Sequence, residues 1–264
     1  MAPEPAALET SDDAILGGRL RLRQPLRGHR VGHDAILLAA AARAPQHGQA
    51  VELGAGVGAA GLALAARVRG LAVTLAEIDP ALCALAADNA SRNGLAGRVR
   101  ALTLDVTRTD TFSAAGLAAA AADCVLMNPP FNDPARQNVS PDARRRLAHV
   151  AAGDTLPRWI EAAAWLLKGD GVLTLIWRAD GLAAVLNALG AGFGGVEVMP
   201  VYPRPNAPAI RVLVRATKGD TGPLATQAGL TLNDSQGKPT TAAEAVLREG
   251  ATLEFYGVTN ATRG

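Results

Sequence analysis

The segment Asn128-Pro129-Pro130-Phe131 combines residue types that can hold and orient a planar amino group. Two consecutive prolines lack N–H donors and fix φ, so the chain must leave a preceding strand in a stiff turn. The side-chain oxygen of Asn128 and the main-chain carbonyl of Pro129 can accept hydrogen bonds from both N–H groups of an –NH2 group. Phe131 can stack on the ring that carries this amine. We therefore predict that these four residues are catalytic.

The nucleophile that suits this turn is an amine whose lone pair is delocalised into a ring. Two acceptors placed for a tetrahedral nitrogen stabilise the transition state of its alkylation more than the ground state. The proton can leave after the transfer, so the chemistry needs no strong general base. The segment thus predicts alkylation of an amino nitrogen.

A second candidate site is the glycine-rich turn Gly54-Ala55-Gly56-Val57-Gly58, which lies between an apolar run and an amphipathic segment. Glycine lets the backbone turn tightly and approach a ligand, and a helix N-terminus offers free N–H donors. Residues 56–61 also fit the dinucleotide pattern G-x-G-x-x-G. We expect a nucleoside cofactor here, and the turn alone fits both nicotinamide and adenosyl cofactors.

Two acidic residues end the next two apolar runs. Glu77 follows the glycines by roughly 20 residues, where a carboxylate can accept both ribose hydroxyl protons. Asp105 can accept from an adenine amino group, although an ordinary turn role for it stays open. Asp79, which precedes Pro80, suits a helix cap better than a ligand contact.

The elements that must position these residues alternate between strands and helices. We predict a basic strand at 19–23 and further strands at 50–53, 72–76, 99–104, 123–127, 172–177, 196–201 and 210–216. We predict helices at 34–44, 59–68, 79–93, 156–167, 181–189 and 242–248. This alternation predicts an α/β domain whose parallel strands end at a common ligand crevice.

In combination, VELGAGVG, Glu77, Asp105 and NPPF resemble the motifs of class I S-adenosylmethionine-dependent methyltransferases that modify amino groups. The resemblance implies a Rossmann-like α/β fold with a seven-stranded, mostly parallel sheet and helices on both faces. It implies S-adenosyl-L-methionine as cofactor. The cofactor-binding residues that it implies are Asp34, Glu52, Gly54, Gly56, Gly58, Glu77 and Asp105.

Two further stretches, RQPLRGHRVGHDAILLAA and VYPRPNAPAIRVLVRATKG, are similar to the bacterial tRNA (adenine-N6)-methyltransferase family. This resemblance implies that Asp34 lies beside the methionine end of the cofactor, although His33 replaces the threonine that is usual before it. It also implies methylation of adenine N6 in RNA, with tRNA as the expected partner.

An RNA substrate needs cationic side chains that contact phosphates. The net charge of +2 neither requires nor excludes a nucleic-acid partner, so the local clusters of charge must decide. The substrate contacts that we predict are Arg27, Arg30, Arg136, Arg144 and Arg145, and a further basic group comprises Arg204, Arg211, Arg215 and Lys218. A solvated, arginine-rich surface is the alternative interpretation of each group.

Four other functions stay open. Methyltransferases that modify guanine N2 in ribosomal RNA resemble this sequence through NPPF, but usually carry His where this chain has Asn132. Methyltransferases that modify a glutamine of release factors carry NPPY. A nicotinamide oxidoreductase would leave the NPPF segment without a role. An inactive RNA-binding module would leave the intact cofactor-binding residues unexplained.

Composition limits the remaining possibilities. Cys83 and Cys124 lie in apolar surroundings and predict neither a disulfide framework nor a metal site. The N-terminus lacks the apolar core of a signal peptide, and the apolar runs are too short to span a bilayer. We expect a cytoplasmic monomer or homodimer without metal. We also expect a flexible tail at 1–16, the methyltransferase domain at 17–216, and an appendage at 217–264 packed on that domain.

Overall fold

A twisted, mostly parallel sheet forms the centre of the protein. The computed structural model describes residues 8–28, 30–130 and 155–255. The strands are β1 Thr10–Ile15, β2 Leu20–Pro25, β3 His47–Leu53, β4 Gly70–Glu77, β5 Val99–Thr103, β6 Ala122–Met127, β7 Leu167–Arg178, β8 Phe193–Tyr202, β9 Arg211–Lys218, β10 Ala225–Thr226 and β11 Leu230–Thr231. The helices in the described ranges are α1 His33–Ala41, α2 Ala59–Arg67, α3 Pro80–Arg92, α4 Thr155–Leu166, α5 Leu182–Leu189 and α6 Thr241–Leu247.

The order of strands in the main sheet is β10-β8-β9-β7-β6-β3-β4-β5, and β11 also pairs with β8. The pairs among β3, β4, β5, β6 and β7 are parallel, whereas β9 runs antiparallel to both of its neighbours. The Rossmann-like, seven-stranded sheet that the sequence predicts is confirmed. The structure adds β10 and β11 at one edge, and these two-residue strands are too short to produce a recognisable alternation.

The sheet is buried on both faces because its strands are apolar at nearly every position. Cys124 and Leu126 of β6 pack into the cluster formed by α1, α2 and α3, whereas Val125 and Met127 pack under α4 and α5. All four side chains are inaccessible to solvent. The same alternation in neighbouring strands gives a three-layer arrangement with two cores.

The N-terminal segment differs from the prediction. Thr10–Ile15 is a strand that pairs antiparallel with β2, so a flexible tail is wrong for these residues. Its pairing depends on contacts from distant positions: Asp12 bonds to Arg92 at 2.6 Å, and the Asp13 carboxylate accepts from the Gln24 amide at 2.8 Å. An acidic sequence with only one large apolar side chain gives no local sign of these partners.

The C-terminal segment is attached to the main sheet and to α1. The strands β10 and β11 continue the sheet through parallel pairing with β8. Further along, the Leu253 amide donates to the carbonyl of Ala40 at 2.9 Å. This segment therefore covers the C-terminal end of α1, away from the helix end that carries Asp34.

Candidate functional site

The carboxyl ends of the parallel strands bring the predicted site residues to one edge of the sheet. Leu53 at the end of β3 is in register with Met127 at the end of β6, and Glu77 ends the adjacent strand β4. The glycine turn and Asn128 follow directly after these paired ends. We call this side of the sheet the ligand edge.

The three glycines of the turn have positive φ values but differ in what surrounds them. A Cβ on Gly54 would lie 2.3 Å from the indole of Trp159, and one on Gly58 would lie 2.8 Å from Leu75. Both glycines therefore allow close packing within the protein. At Gly56, whose φ is +55°, a Cβ would meet no atom within 4 Å. The open side of the turn, where a ligand can approach the backbone, is at Gly56.

Glu77 holds the glycine turn in place. One oxygen of its carboxylate accepts from the Gly56 amide at 2.7 Å, and the other accepts from the Asp79 amide at 2.9 Å. The side chain is buried, with 7% exposed. A carboxylate has about four acceptor positions, so Glu77 retains capacity for ribose hydroxyls. Asp79 caps α3 by accepting from the Ala81 amide at 2.8 Å, as predicted.

Glu52 lies beneath the same turn. Its carboxylate accepts from the Gly61 amide in the first part of α2 at 2.6 Å, and the side chain is buried. Burial raises its pKa to about 8, although the Gly61 hydrogen bond opposes this change, and the nearby negative charge of Glu77 adds to the increase. Glu52 is thus positioned to support the turn from below.

Asp105 follows β5 at the next strand position. One oxygen of its carboxylate accepts from both the amide and the hydroxyl of Thr107, at 2.9 and 2.7 Å. This arrangement is an ordinary turn contact. It uses one carboxylate oxygen, and the residue is half-buried at the ligand edge.

Asn128 carries a buried acceptor that has no partner among the described residues. Its Oδ1 is inaccessible to solvent and accepts no hydrogen bond from the part of the chain that the structure describes. Leaving such an atom unpaired costs about 1–3 kcal/mol, so a donor from a bound ligand would stabilise this arrangement. Pro129 is buried and Pro130 is exposed. Phe131 lies outside the described residues.

Asp34 lies in the first turn of α1 and is bound by an arginine of the sheet strand β9. The Arg211 guanidinium at the start of β9 donates to its carboxylate at 2.9 Å, across 177 residues of sequence. Arg211 is in register with Arg178 at the end of β7, which places the pair at the ligand edge. The partly positive N-terminus of α1 points to the same place.

The predicted phosphate contacts fall into three groups. Arg27 and Arg30 are exposed between β2 and α1, and Arg30 pairs with Asp13 at 2.9 Å. Exposed Arg204 follows β8. The predicted contacts Arg136, Arg144 and Arg145 lie outside the described residues.

Two members of the further basic group, Arg215 and Lys218, bind main-chain carbonyls within the protein, so neither is available as a phosphate contact. Arg215 is buried, donates to main-chain carbonyls of Ala41 and Leu253, and stacks on the Phe255 ring at 3.7 Å. The Lys218 ammonium donates to carbonyls near the end of α4, at the edge opposite the site. Buried carbonyls from distant segments bind these cations, and the sequence around each cation does not show them.

Sequence reasoning missed two residues near the site. Asn89 is fully buried in α3, and its amide donates to the carbonyls of Arg23 and Val57, both at 3.0 Å. It therefore joins strand β2 to the glycine turn. Ile78 directly follows Glu77 and is 48% exposed, which offers an apolar surface beside the Glu77 carboxylate. A large apolar residue immediately after a strand-end acid was the available signal for Ile78.

Both cysteines are buried and free, and burial raises the pKa of Cys124 to about 12. No group of three or more metal-binding side chains lies together in the described residues. Within the same ranges, every helix is too short or too polar to cross a lipid bilayer.

Comparison with known proteins gives the family. The family model "Methyltransferase small domain" matches residues 30–201. A release factor glutamine methyltransferase of Chlorobaculum tepidum is 34% identical over 158 residues, which are 58% of this chain and 53% of that protein. The chain thus spans about half the length of this relative. A tRNA1(Val) (adenine(37)-N6)-methyltransferase of Serratia proteamaculans is 27% identical over 72% of this chain and 71% of that protein.

Solved structures agree with this family. A predicted O-methyltransferase from Agrobacterium tumefaciens has a TM-score of 0.70 and 30% identity, covering 83% of this chain and 98% of that one. The M. jannaschii TYW2 structure in complex with AdoMet has the same fold, with a TM-score of 0.55 and 14% identity over 83% of this chain and 88% of that one. The chain belongs to the methyltransferase small domain family, and its domain is an S-adenosylmethionine-dependent methyltransferase domain.

Proposed function

We propose that the protein methylates the exocyclic N6 amine of adenine in RNA, with tRNA as substrate. The observation that carries this proposal is the buried Oδ1 of Asn128, which has no partner among the described residues and lies on a stiff double-proline turn at the ligand edge. An –NH2 group on a planar ring supplies the donor that this acceptor lacks. A hydroxyl acceptor of the methyl group would use only one of the two carbonyl oxygens of Asn128 and Pro129.

The residues of the turn would orient the amine rather than deprotonate it. The Asn128 oxygen and the Pro129 carbonyl would accept hydrogen bonds from its two N–H groups and direct the nitrogen lone pair toward the transferred carbon. Bound S-adenosylmethionine supplies an electrophilic methyl group on a sulfonium. As the nitrogen–carbon bond forms, the carbon–sulfur bond would break and S-adenosylhomocysteine would be the leaving group. The nitrogen would then lose one proton to solvent, so Asn128 never has to act as a base.

The cofactor would be held by the residues that surround the open side of the glycine turn. We propose that the Glu77 carboxylate accepts hydrogen bonds from the ribose hydroxyls and that Gly56 allows the close approach of the ribose. The second carboxylate oxygen of Asp105 would accept a hydrogen bond from the adenine amino group. Asp34, fixed by Arg211, would face the methionine end. Glu52, Gly54 and Gly58 would shape the turn from inside the protein.

Methylation of a glutamine amide in a release factor is the second candidate. The 34% identity to the Chlorobaculum tepidum enzyme favours it, and an amide –NH2 would suit Asn128 equally well. Phe131 in place of Tyr and the basic N-terminal hairpin favour RNA. The tRNA-modifying relative also aligns over more of its own length, 71% against 53%. An RNA substrate would place the protein in the cytoplasm.

The test is a methyl-transfer assay with purified protein, isotope-labelled S-adenosylmethionine and total tRNA from a strain that lacks the gene. We expect label in N6-methyladenosine after digestion to nucleosides and mass spectrometry. Label in N2-methylguanosine would identify the ribosomal-type activity instead. A parallel reaction with release factor, in which label survives ribonuclease and appears on glutamine, would replace the RNA proposal by the protein substrate.

A further inference from the structure

Exposed arginines follow one side of the β1–β2 hairpin. Along β2 the side chains of Leu20 and Leu22 are buried, whereas those of Arg21 and Arg23 point to solvent. Alternate residues of a strand lie about 7 Å apart on the same face, so these guanidinium groups are regularly spaced. We call the whole set the arginine stripe, and its members are Arg19, Arg21, Arg23 and Arg92.

The stripe holds more positive charge than its own carboxylates neutralise. Two acidic residues pair with three of its four arginines. The ion pairs are Arg21–Asp12, Arg92–Asp12 and Arg23–Asp88, with N–O distances between 2.6 and 3.4 Å. Each of these side chains is at least 25% exposed. Exposed pairs of this kind are weak, so a phosphate can replace the carboxylate without a large loss.

An open groove of about 530 Å³ lies where the hairpin meets the C-terminal end of α3. Its lining residues are Gly18, Arg19, Arg21, Arg92 and Asn93, which include no acidic side chain. A groove lined by guanidinium groups, an amide and a glycine offers several hydrogen-bond donors. This chemistry suits an anion with several oxygen acceptors.

The hairpin is rigidly connected to the ligand edge. The Asn89 side chain bonds to both the amide and the carbonyl of Arg23, at 2.7 and 3.0 Å, and also reaches the carbonyl of Val57 in the glycine turn. After β2, the Val31 amide donates to Gln24 at 2.9 Å just before α1 begins. A polyanion on the stripe is therefore held in a fixed position relative to the site.

We propose that the arginine stripe binds the phosphate backbone of the RNA substrate and leads it toward the ligand edge. This inference rests on the proposed function, because it assigns a binding surface to the proposed substrate. Regularly repeated cations match a chain whose negative charges also repeat. A protein partner of the same site would instead need an apolar centre with a polar rim.

The test compares two double variants of the full-length protein. Arg21→Gln with Arg23→Gln removes two stripe cations. Arg43→Gln with Arg69→Gln removes two exposed cations at the edge of the sheet opposite the ligand edge. Binding of fluorescently labelled total tRNA is measured with S-adenosylhomocysteine present, between 50 and 200 mM salt. Thermal unfolding followed by circular dichroism verifies that both variants fold.

We expect the stripe variant to lose at least tenfold in tRNA affinity at about 0.1 M salt. The slope of log K against log salt should decrease by about 1.5, because each lost phosphate contact removes roughly 0.7–0.9. The control variant should retain the affinity and slope of the unmodified protein. Equal behaviour of the two variants, or no binding of tRNA by the unmodified protein, would overturn the assignment of the stripe.

This inference and the proposed function can fail separately. If tRNA adenine is methylated but both variants bind tRNA alike, the role assigned to the arginine stripe is wrong and the proposed function is supported. If tRNA binding depends on the arginine stripe but no N6-methyladenosine forms, the role of the stripe is supported and the proposed function is wrong. Methylation of release factor with no tRNA binding would overturn both.

Discussion

Replacing Glu52 by Gln should change how the stability of the protein depends on pH. Glu52 is buried in β3 and accepts from the Gly61 amide, and its pKa is raised from 4.5 to about 8. A Gln side chain keeps an oxygen for the Gly61 hydrogen bond but cannot ionise. The substitution therefore removes one titration while retaining the main contact.

The sign follows from the number of bound protons. Between pH 4.5 and about 8 the folded protein keeps the Glu52 proton that the unfolded chain has lost. The free energy of unfolding of the wild-type protein therefore falls as pH rises through this range. With about 1.4 kcal/mol for each pH unit, the Gln variant should gain about 3.5 kcal/mol relative to wild type between pH 5 and 8.

Urea denaturation at pH 5, 6, 7 and 8 would measure this difference directly, with Glu249→Gln at an exposed position as a matched control. We expect the stability of the Glu52→Gln variant relative to wild type to rise steadily with pH, while the Glu249→Gln difference changes little. Parallel curves for wild type and Glu52→Gln would show that Glu52 does not titrate in this range, and the assigned burial effect would be wrong.

Two further predictions concern the turn and the C-terminal segment. Gly56→Ala should weaken binding of S-adenosylhomocysteine in calorimetry with a modest loss of stability, whereas Gly54→Ala should lower the melting temperature strongly because its methyl group would overlap Trp159. Similar effects of both substitutions on both measurements would contradict the distinction. Arg215→Leu should destabilise by about 2–4 kcal/mol in urea denaturation, since two buried carbonyls lose their donor; a change below about 0.5 kcal/mol would show that these contacts contribute little.

Residues with regular local patterns were predictable, and residues with distant partners were not. The apolar run ending at Met127 and the prolines after it indicated both β6 and the end of that strand. The strand Thr10–Ile15 was missed because its stability comes from pairing with β2 and from ion pairs to residues such as Arg92. The buried position of Arg215 depends on carbonyls contributed by α1 and the C-terminal segment.

The candidate site shows the same division. The positions of Gly56, Glu77 and Asn128 at one edge follow from the rule that parallel strands end together. What each glycine contacts does not follow from the motif, because the motif contains neither Trp159 nor Leu75. The pairing of Asp34 with Arg211 joins segments that are 177 residues apart, and only the folded chain brings them together.

The most direct test of the account is the rate of methyl transfer by Asn128→Ala on tRNA at saturating S-adenosylmethionine. Removing an acceptor used mainly in the transition state should lower kcat by about 100- to 1000-fold, while the Kd for S-adenosylhomocysteine stays within about twofold of wild type, because the cofactor is bound by other residues. A variant that transfers methyl groups at the wild-type rate would contradict the role assigned to the buried oxygen of Asn128.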